Sequence, residues 1–123
     1  MIHMTGWLMV FLGGYAAYDT YCYHAGNSCA NRSVDLLTEG KLEEAIEEAN
    51  KAIRLYPKHV LSYFVRGAAR FHLIKQKQSE ESYQVCKPDL EKAQAESPNE
   101  EVRTRAGRFL SMIKAIEDEQ FSS

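Results

Sequence analysis

The first thirty residues lack lysine, arginine and glutamate altogether, and Asp19 is their only formally charged side chain. That absence sets them apart from the rest of the chain and leaves three readings. A transmembrane helix needs about 20 consecutive apolar residues. Here the run Trp7-Leu8-Met9-Val10-Phe11-Leu12 weakens at Gly13-Gly14, then meets Asp19, Thr20 and the tyrosines Tyr15, Tyr18, Tyr21 and Tyr23. A secretory leader needs a basic start, and Met1-Ile2-His3-Met4 has none, although an apolar core followed by Tyr15-Ala16-Ala17 is faintly cleavage-like. The third reading, an apolar helix packed against protein, is the one favoured. Glycine and alanine among tyrosines suit close helix contact, and tyrosine hydroxyls reach water or a carbonyl at the edge.

Other absences narrow the function. Strict apolar/polar alternation is missing, and no Asn-Gly or Asp-Gly hairpin lies between apolar runs, which excludes a β fold. A net charge of −2 favours neither nucleic acid nor an acidic membrane as partner. No serine or cysteine carries a nucleophile signature, and Gly13-Gly14 lacks the Lys-Ser or Lys-Thr of a phosphate loop. His3, His24, His59 and His72 are scattered, and the pairs Glu43-Glu44, Glu47-Glu48 and Glu80-Glu81 read as solvated helix faces. Arg66, Arg70 and Lys75 with Arg103, Arg105 and Arg108 also read as solvation, not as a basic site. The expectation is a protein that is not an enzyme and takes no cofactor or metal.

Cysteine is sparse and odd in number. Cys22, Cys29 and Cys86 allow at most one internal bridge. Cys22 and Cys29 flank Gly26-Asn27, read here as a turn that could bring them together; the alternative is three buried thiols. A bridge would imply an extracytoplasmic or membrane-associated location, and reduced thiols a cytoplasmic one. Cys22, His24 and Cys29 do not have a zinc spacing. Asn31-Arg32-Ser33 matches a glycosylation acceptor, a pattern that matters only if the chain is secreted.

What is present is helical. The stretch from Gly40 to Pro57 marks its own beginning, buried face and end. Gly40 closes what precedes it, Glu43 and Glu44 suit the first turn, and Pro57 stops the helix. Leu42, Ala45, Ile46, Ala49, Ala52, Ile53 and Tyr56 fall on one stripe, and the alanines let a second helix come close. This stripe, with Gly40, Pro57 and Leu36, resembles the second helix of a tetratricopeptide repeat, while Ser33 and Cys29 depart from that pattern. Such repeats run about 34 residues. Pro57 and Pro98 are 41 apart, an excess of seven that one extra turn in each helix of a second unit would absorb.

Val60, Tyr63, Phe64, Gly67, Ala68, Phe71 and Ile74 make the first helix of that unit. Tyr83, Cys86, Leu90, Ala93 and Gln94 make its second, which Pro88 either kinks or begins afresh. Glu100 and Glu101 open a capping helix that continues through Val102, Ala106, Phe109, Leu110, Ile113 and Ile116. The expected fold is an all-α stack of five or six helices: an apolar segment over residues 1–26, a repeat-like domain over 27–118, and a frayed tail over 119–123.

The resemblance implies a concave groove lined by the first helix of each pair. The positions facing it are Val34, Leu37, Leu61, Phe64, Ala68, Phe71, Phe109 and Met112, all apolar. The expected function is a protein-interaction scaffold taking an apolar helical segment. The docking segment is Trp7, Leu8, Phe11, Leu12, Tyr15 and Tyr18, used on a partner, in cis, or in a neighbouring copy to build a ring or filament. A membrane-anchored assembly factor is the less favoured alternative.

Overall fold

The computed structural model describes the backbone of residues 2–79 and 81–122, and the side chains of 17–79 and 81–120. Among these the fold is all-α: α1 (Ile2–Thr38), α2 (Leu42–Leu55), α3 (Val60–Lys75), a 3₁₀ turn (Tyr83–Val85), α4 (Lys87–Glu96) and α5 (Glu100–Ser122). Each helix packs chiefly on the next in sequence, with secondary contacts of α1 on α3 and α3 on α5.

Small residues set these approaches. Ala45, Ala49 and Ala52 of α2 are fully buried. Between α3 and α4 the seam is closer still: a Cβ at Gly67 would stand 2.9 Å from Leu90 Cγ and 3.2 Å from Asp89 Cβ. Ser33, the position that departs from the repeat pattern, is accommodated at zero exposure because its hydroxyl donates to the carbonyl of Ala30 at 2.6 Å.

The turn expected at Gly26-Asn27 does not exist, and α1 runs through both residues without interruption. Gly26 serves a different need: a Cβ there would lie 2.9 Å from Tyr56 Cβ, so glycine lets α1 meet the end of α2. The uninterrupted helix also carries Cys22 and Cys29 two turns apart, about 10.5 Å along the axis, well outside disulfide reach. Both are free thiols.

The connection between α3 and α4 carries the 3₁₀ turn, and α4 spans only 10 residues. Pro88 begins that helix afresh instead of kinking it, since at the second helical position its missing N–H would have had no partner. Tyr83 and Cys86 accordingly lie in and after the 3₁₀ turn. The last helix, α5, runs from Glu100 to Ser122. Glu117 accepts hydrogen bonds from Gln84 and from Lys87 Nζ, the latter at 3.0 Å, which ties α5 to the start of α4.

Two helix ends close in the same way with different residues. After α1, Gly40 N–H reaches Leu37 O at 3.1 Å and Lys41 N–H reaches Leu36 O at 2.9 Å, with Gly40 at φ 80°. After α3, Lys77 N–H reaches Ile74 O at 3.0 Å and Gln78 N–H reaches Leu73 O at 2.9 Å, with Lys77 at φ 61°. This pattern satisfies carbonyls that a helix end leaves open, and it needs a left-handed residue that glycine supplies without strain. Lys77→Gly is therefore expected to stabilise the fold by about 0.5–1 kcal/mol, after allowing for the greater unfolded-state freedom of glycine. A urea midpoint that did not rise would count against the strain.

One polar cluster is built into the apolar frame. Arg66 grips Asp89 with two hydrogen bonds of 2.8 Å and donates to Asn50 Oδ1 at 3.0 Å, while Arg70 stands 3.6 Å from the same carboxylate. Arg66 and Arg70, read as part of a solvated stripe, are thus turned toward a buried acid, and α2, α3 and α4 meet at Asp89. The bidentate bonds that Arg66 donates to Asp89 raise its pKa further, against burial.

Candidate functional site

The residues expected to line an open groove are brought together, but the largest are already covered. Val34 and Leu37 lie on α1, Leu61, Phe64, Ala68 and Phe71 on α3, and Phe109 and Met112 on α5. Phe64, Ala68 and Phe71 are buried. Phe109 packs over two of them, with ring centroids 6.1 Å from Phe64 and 5.1 Å from Phe71, and Tyr83 lies 5.2 Å from Phe71. Phe64 and Phe71 are thus core residues of the monomer. The half-open remainder is Val34, Leu37, Leu61 and Phe109, with Met112 39% exposed.

The docking segment lies on α1. The side chains of Trp7, Leu8, Phe11, Leu12 and Tyr15 fall outside the described residues. Tyr18 and Tyr21 are 67% and 65% exposed, and all five residues from 17 to 21 are exposed. Five consecutive positions exceed one helical turn, so α1 has no covered face there. The reason is length: α1 has 37 residues and α2 has 14, or about 55 Å against about 21 Å. With Gly26 and Tyr23 both against Tyr56 at the end of α2, the N-terminal part of α1 extends past the bundle. In this chain it is not folded back on the groove at residues 17–21. Among the described residues no helix is long and apolar enough to cross a membrane.

A hollow of about 330 Å³ opens at the root of this extension, where α1, the α2–α3 connection and the α4–α5 connection meet. Its walls are mainly apolar, with Tyr23, Tyr56, Val60, Leu61, Pro98 and Val102. Local chemistry fixes each wall. Tyr23 meets Tyr56 edge to face at 5.2 Å. Tyr63 donates to Pro57 O at 3.0 Å, and Asn99 accepts from the backbone N–H groups of Glu101 and Val102 at 2.9 and 3.3 Å, capping α5. Sequence periodicity could not find this site, because its residues come from α1, the starts of α3 and α5, and two connections whose meeting depends on the whole stack.

His59 is the histidine of the hollow. Its Nε2 lies 2.9 Å from Asn27 Oδ1, an acceptor, so Nε2 carries the proton and Nδ1 is left buried with no partner. Burial lowers the His59 pKa, and burial followed by Lys75 lowers that of His72. The unfolded chain therefore binds these protons more readily than the folded one. The stability is fully present above the unfolded histidine pKa near 6.5 and is lost as pH falls below it. Melting temperature is expected to drop between about pH 7.5 and about pH 5, and His59→Gln is expected to flatten part of that drop. An unchanged pH profile in the variant would refute the assignment.

Two of the thiols are held in the protonated form at neutral pH. Burial pushes Cys86 up to about 11, and burial followed by the Glu48 charge raises Cys29. The Tyr18 hydroxyl is raised mainly by its hydrogen bond with Cys22. Among the described residues no group of three or more histidine, cysteine, aspartate or glutamate side chains is arranged to hold a metal ion. Comparison with protein-family models, curated proteins and solved structures finds no match for this chain.

Proposed function

We propose that this chain is a non-catalytic interaction module, a tetratricopeptide-like stack that works by exchanging apolar helical contacts with another protein or a second copy of itself. The observation that carries this reading is the helix extended past its own bundle, exposed on every side over residues 17–21 and lacking lysine, arginine and glutamate throughout residues 1–30. Exposed apolar patches mark contact sites, and Ala17, Tyr18 and Tyr21 contribute to one here. The tetratricopeptide-like reading is supported by sequential helix packing with additional first-to-third and third-to-fifth contacts. Support also comes from the small-residue seams at Ala45, Ala49, Ala52 and Gly67. The receiving face comprises Val34, Leu37, Leu61, Phe109 and Met112.

A second reading, a self-assembling structural subunit, is favoured by the proximity of the extended helix and the hollow at its root. Sedimentation velocity tests both. The full chain is run alone, with excess peptide of residues 2–24, and as the double variant Tyr18→Arg/Tyr21→Arg. Association in either wild-type arm that the double variant loses is the expected result. A wild-type chain that stays monomeric and ignores the peptide would sink the interaction reading.

A further inference from the structure

We infer that His59 latches a hinge in α1: when its ring takes up a second proton it lets go of Asn27, and α1 bends at Gly26-Asn27-Ser28, so that acid redirects the extended segment relative to the stack. This latch governs how the extension is held, whatever the extension binds.

The hinge point is weak by composition and helical only by contact. Glycine, asparagine and serine are all poorer helix formers than alanine, yet α1 runs through the three in succession. On the C-terminal side Ala30, Ser33 and Leu36 are buried, which anchors that part of α1. On the N-terminal side residues 17–21 are exposed. Between the two, α1 is held by the close approach of Gly26 and the ring of Tyr23 to Tyr56, and by the 2.9 Å hydrogen bond between Asn27 Oδ1 and His59 Nε2. That bond crosses from the helix to the α2–α3 connection.

The other ring nitrogen is the trigger. Nδ1 of His59 is buried and has no hydrogen-bond partner. A second proton puts a donor and a positive charge at that atom, and a buried charge without an acceptor is costly. The titratable and charged groups around the ring offer no relief. They are Lys58 beside it in the connection, Tyr56 at the end of α2, and Tyr23 of α1 with the His24 ring 5.3 Å away. Tyr63 of α3 donates to Pro57 O, and Arg103 of α5 donates to Ser97 O at 2.7 Å, at the edge of the hollow. None of these is a carboxylate, and Lys58 and Arg103 are cations. The charged ring therefore turns toward water, and the turn breaks the bond to Asn27. Once free, Asn27 can cap the helix that resumes at Ser28, because asparagine is among the preferred N-cap residues. The bent state gains a cap as it loses a tie. Burial lowers the His59 pKa, in keeping with a closed latch that disfavours the charged ring.

Native-state hydrogen exchange of the full chain, corrected for the chemical exchange rate, tests this together with NMR of the His59 ring nitrogens. The amides of residues 24–30, and of Ser62, which donates to His59 O, are expected to lose protection roughly tenfold as pH falls from about 7 to about 5, while those of α4 change less. His59→Gln keeps a side-chain donor for Asn27 and does not titrate, so its protection is expected to stay level. His72→Gln is expected to keep the wild-type response. Asn27→Asp supplies a negative acceptor that favours the charged ring in place, and is expected to suppress the loss. An equal loss in His59→Gln, a loss spread evenly over all helices, or no loss in wild type would overturn the inference. So would a wild-type ring that carries its proton on Nδ1 at about pH 7, a result that decides the matter even if His59→Gln does not fold.

Discussion

Asp89→Ala is expected to lower stability by about 3–5 kcal/mol, at the lower end because Arg66 retains some contact with water. The carboxylate is buried, its side chain 7% exposed, and it accepts both guanidinium bonds of Arg66. Removing it strands the Arg66 charge between α2 and α4, with Asn50 as the one remaining hydrogen-bond partner among those described above. A chain of this length has a total stability of about 6–18 kcal/mol, so the loss would be plain in a urea titration followed by circular dichroism. Asp89→Asn keeps one acceptor and is expected to lose less. The double replacement Arg66→Met/Asp89→Leu removes both charges and is expected to recover most of the deficit, as apolar substitutes for buried pairs often do. If the double variant were no better than Asp89→Ala, the stranded charge would not be the cause.

Phe71→Ala is expected to cost about 3–5 kcal/mol, the range for an aromatic side chain removed from a packed interior. Phe71 is 1% exposed and touches the rings of His72, Tyr83 and Phe109, so its loss opens a cavity between α3, the 3₁₀ turn and α5. Phe109→Ala is expected to cost less, because that ring is only half-buried. Equal losses at the two positions would mean that Phe71 is not the better covered. Thermal unfolding of the two variants beside wild type reads the difference.

The helices around Gly40 and Pro57 were legible because local chemistry and burial agree there: glycine, acidic first turn, alanine stripe and proline all lie within one stretch. Gly26-Asn27 misled for a physical reason. Glycine permits a turn and also permits close approach, and only the position of Tyr56 tells the two apart. Pro88 left two outcomes open, and the choice fell to the 3₁₀ turn that absorbs the chain before it. The groove was misjudged in its depth. Its residues do share one side of the stack, but whether Phe64 and Phe71 face solvent depends on where α5 settles, which involves three helices at once. The Arg66–Asp89 pair was hidden for the same cause, as its partners lie 23 positions apart on separate helices.

The order of helix packing also has a kinetic meaning. Since each helix leans mainly on its successor, most loops that must close during folding are short, and short closures cost little chain entropy. Such a chain reaches its native state quickly for its size, in the microsecond to millisecond range typical of local topologies. It also opens from its ends, because a terminal helix has one principal neighbour and an internal helix has two. Hydrogen exchange is therefore expected to be slowest in α3, which touches α1, α2, α4 and α5, and fastest where α1 stands alone over residues 17–21.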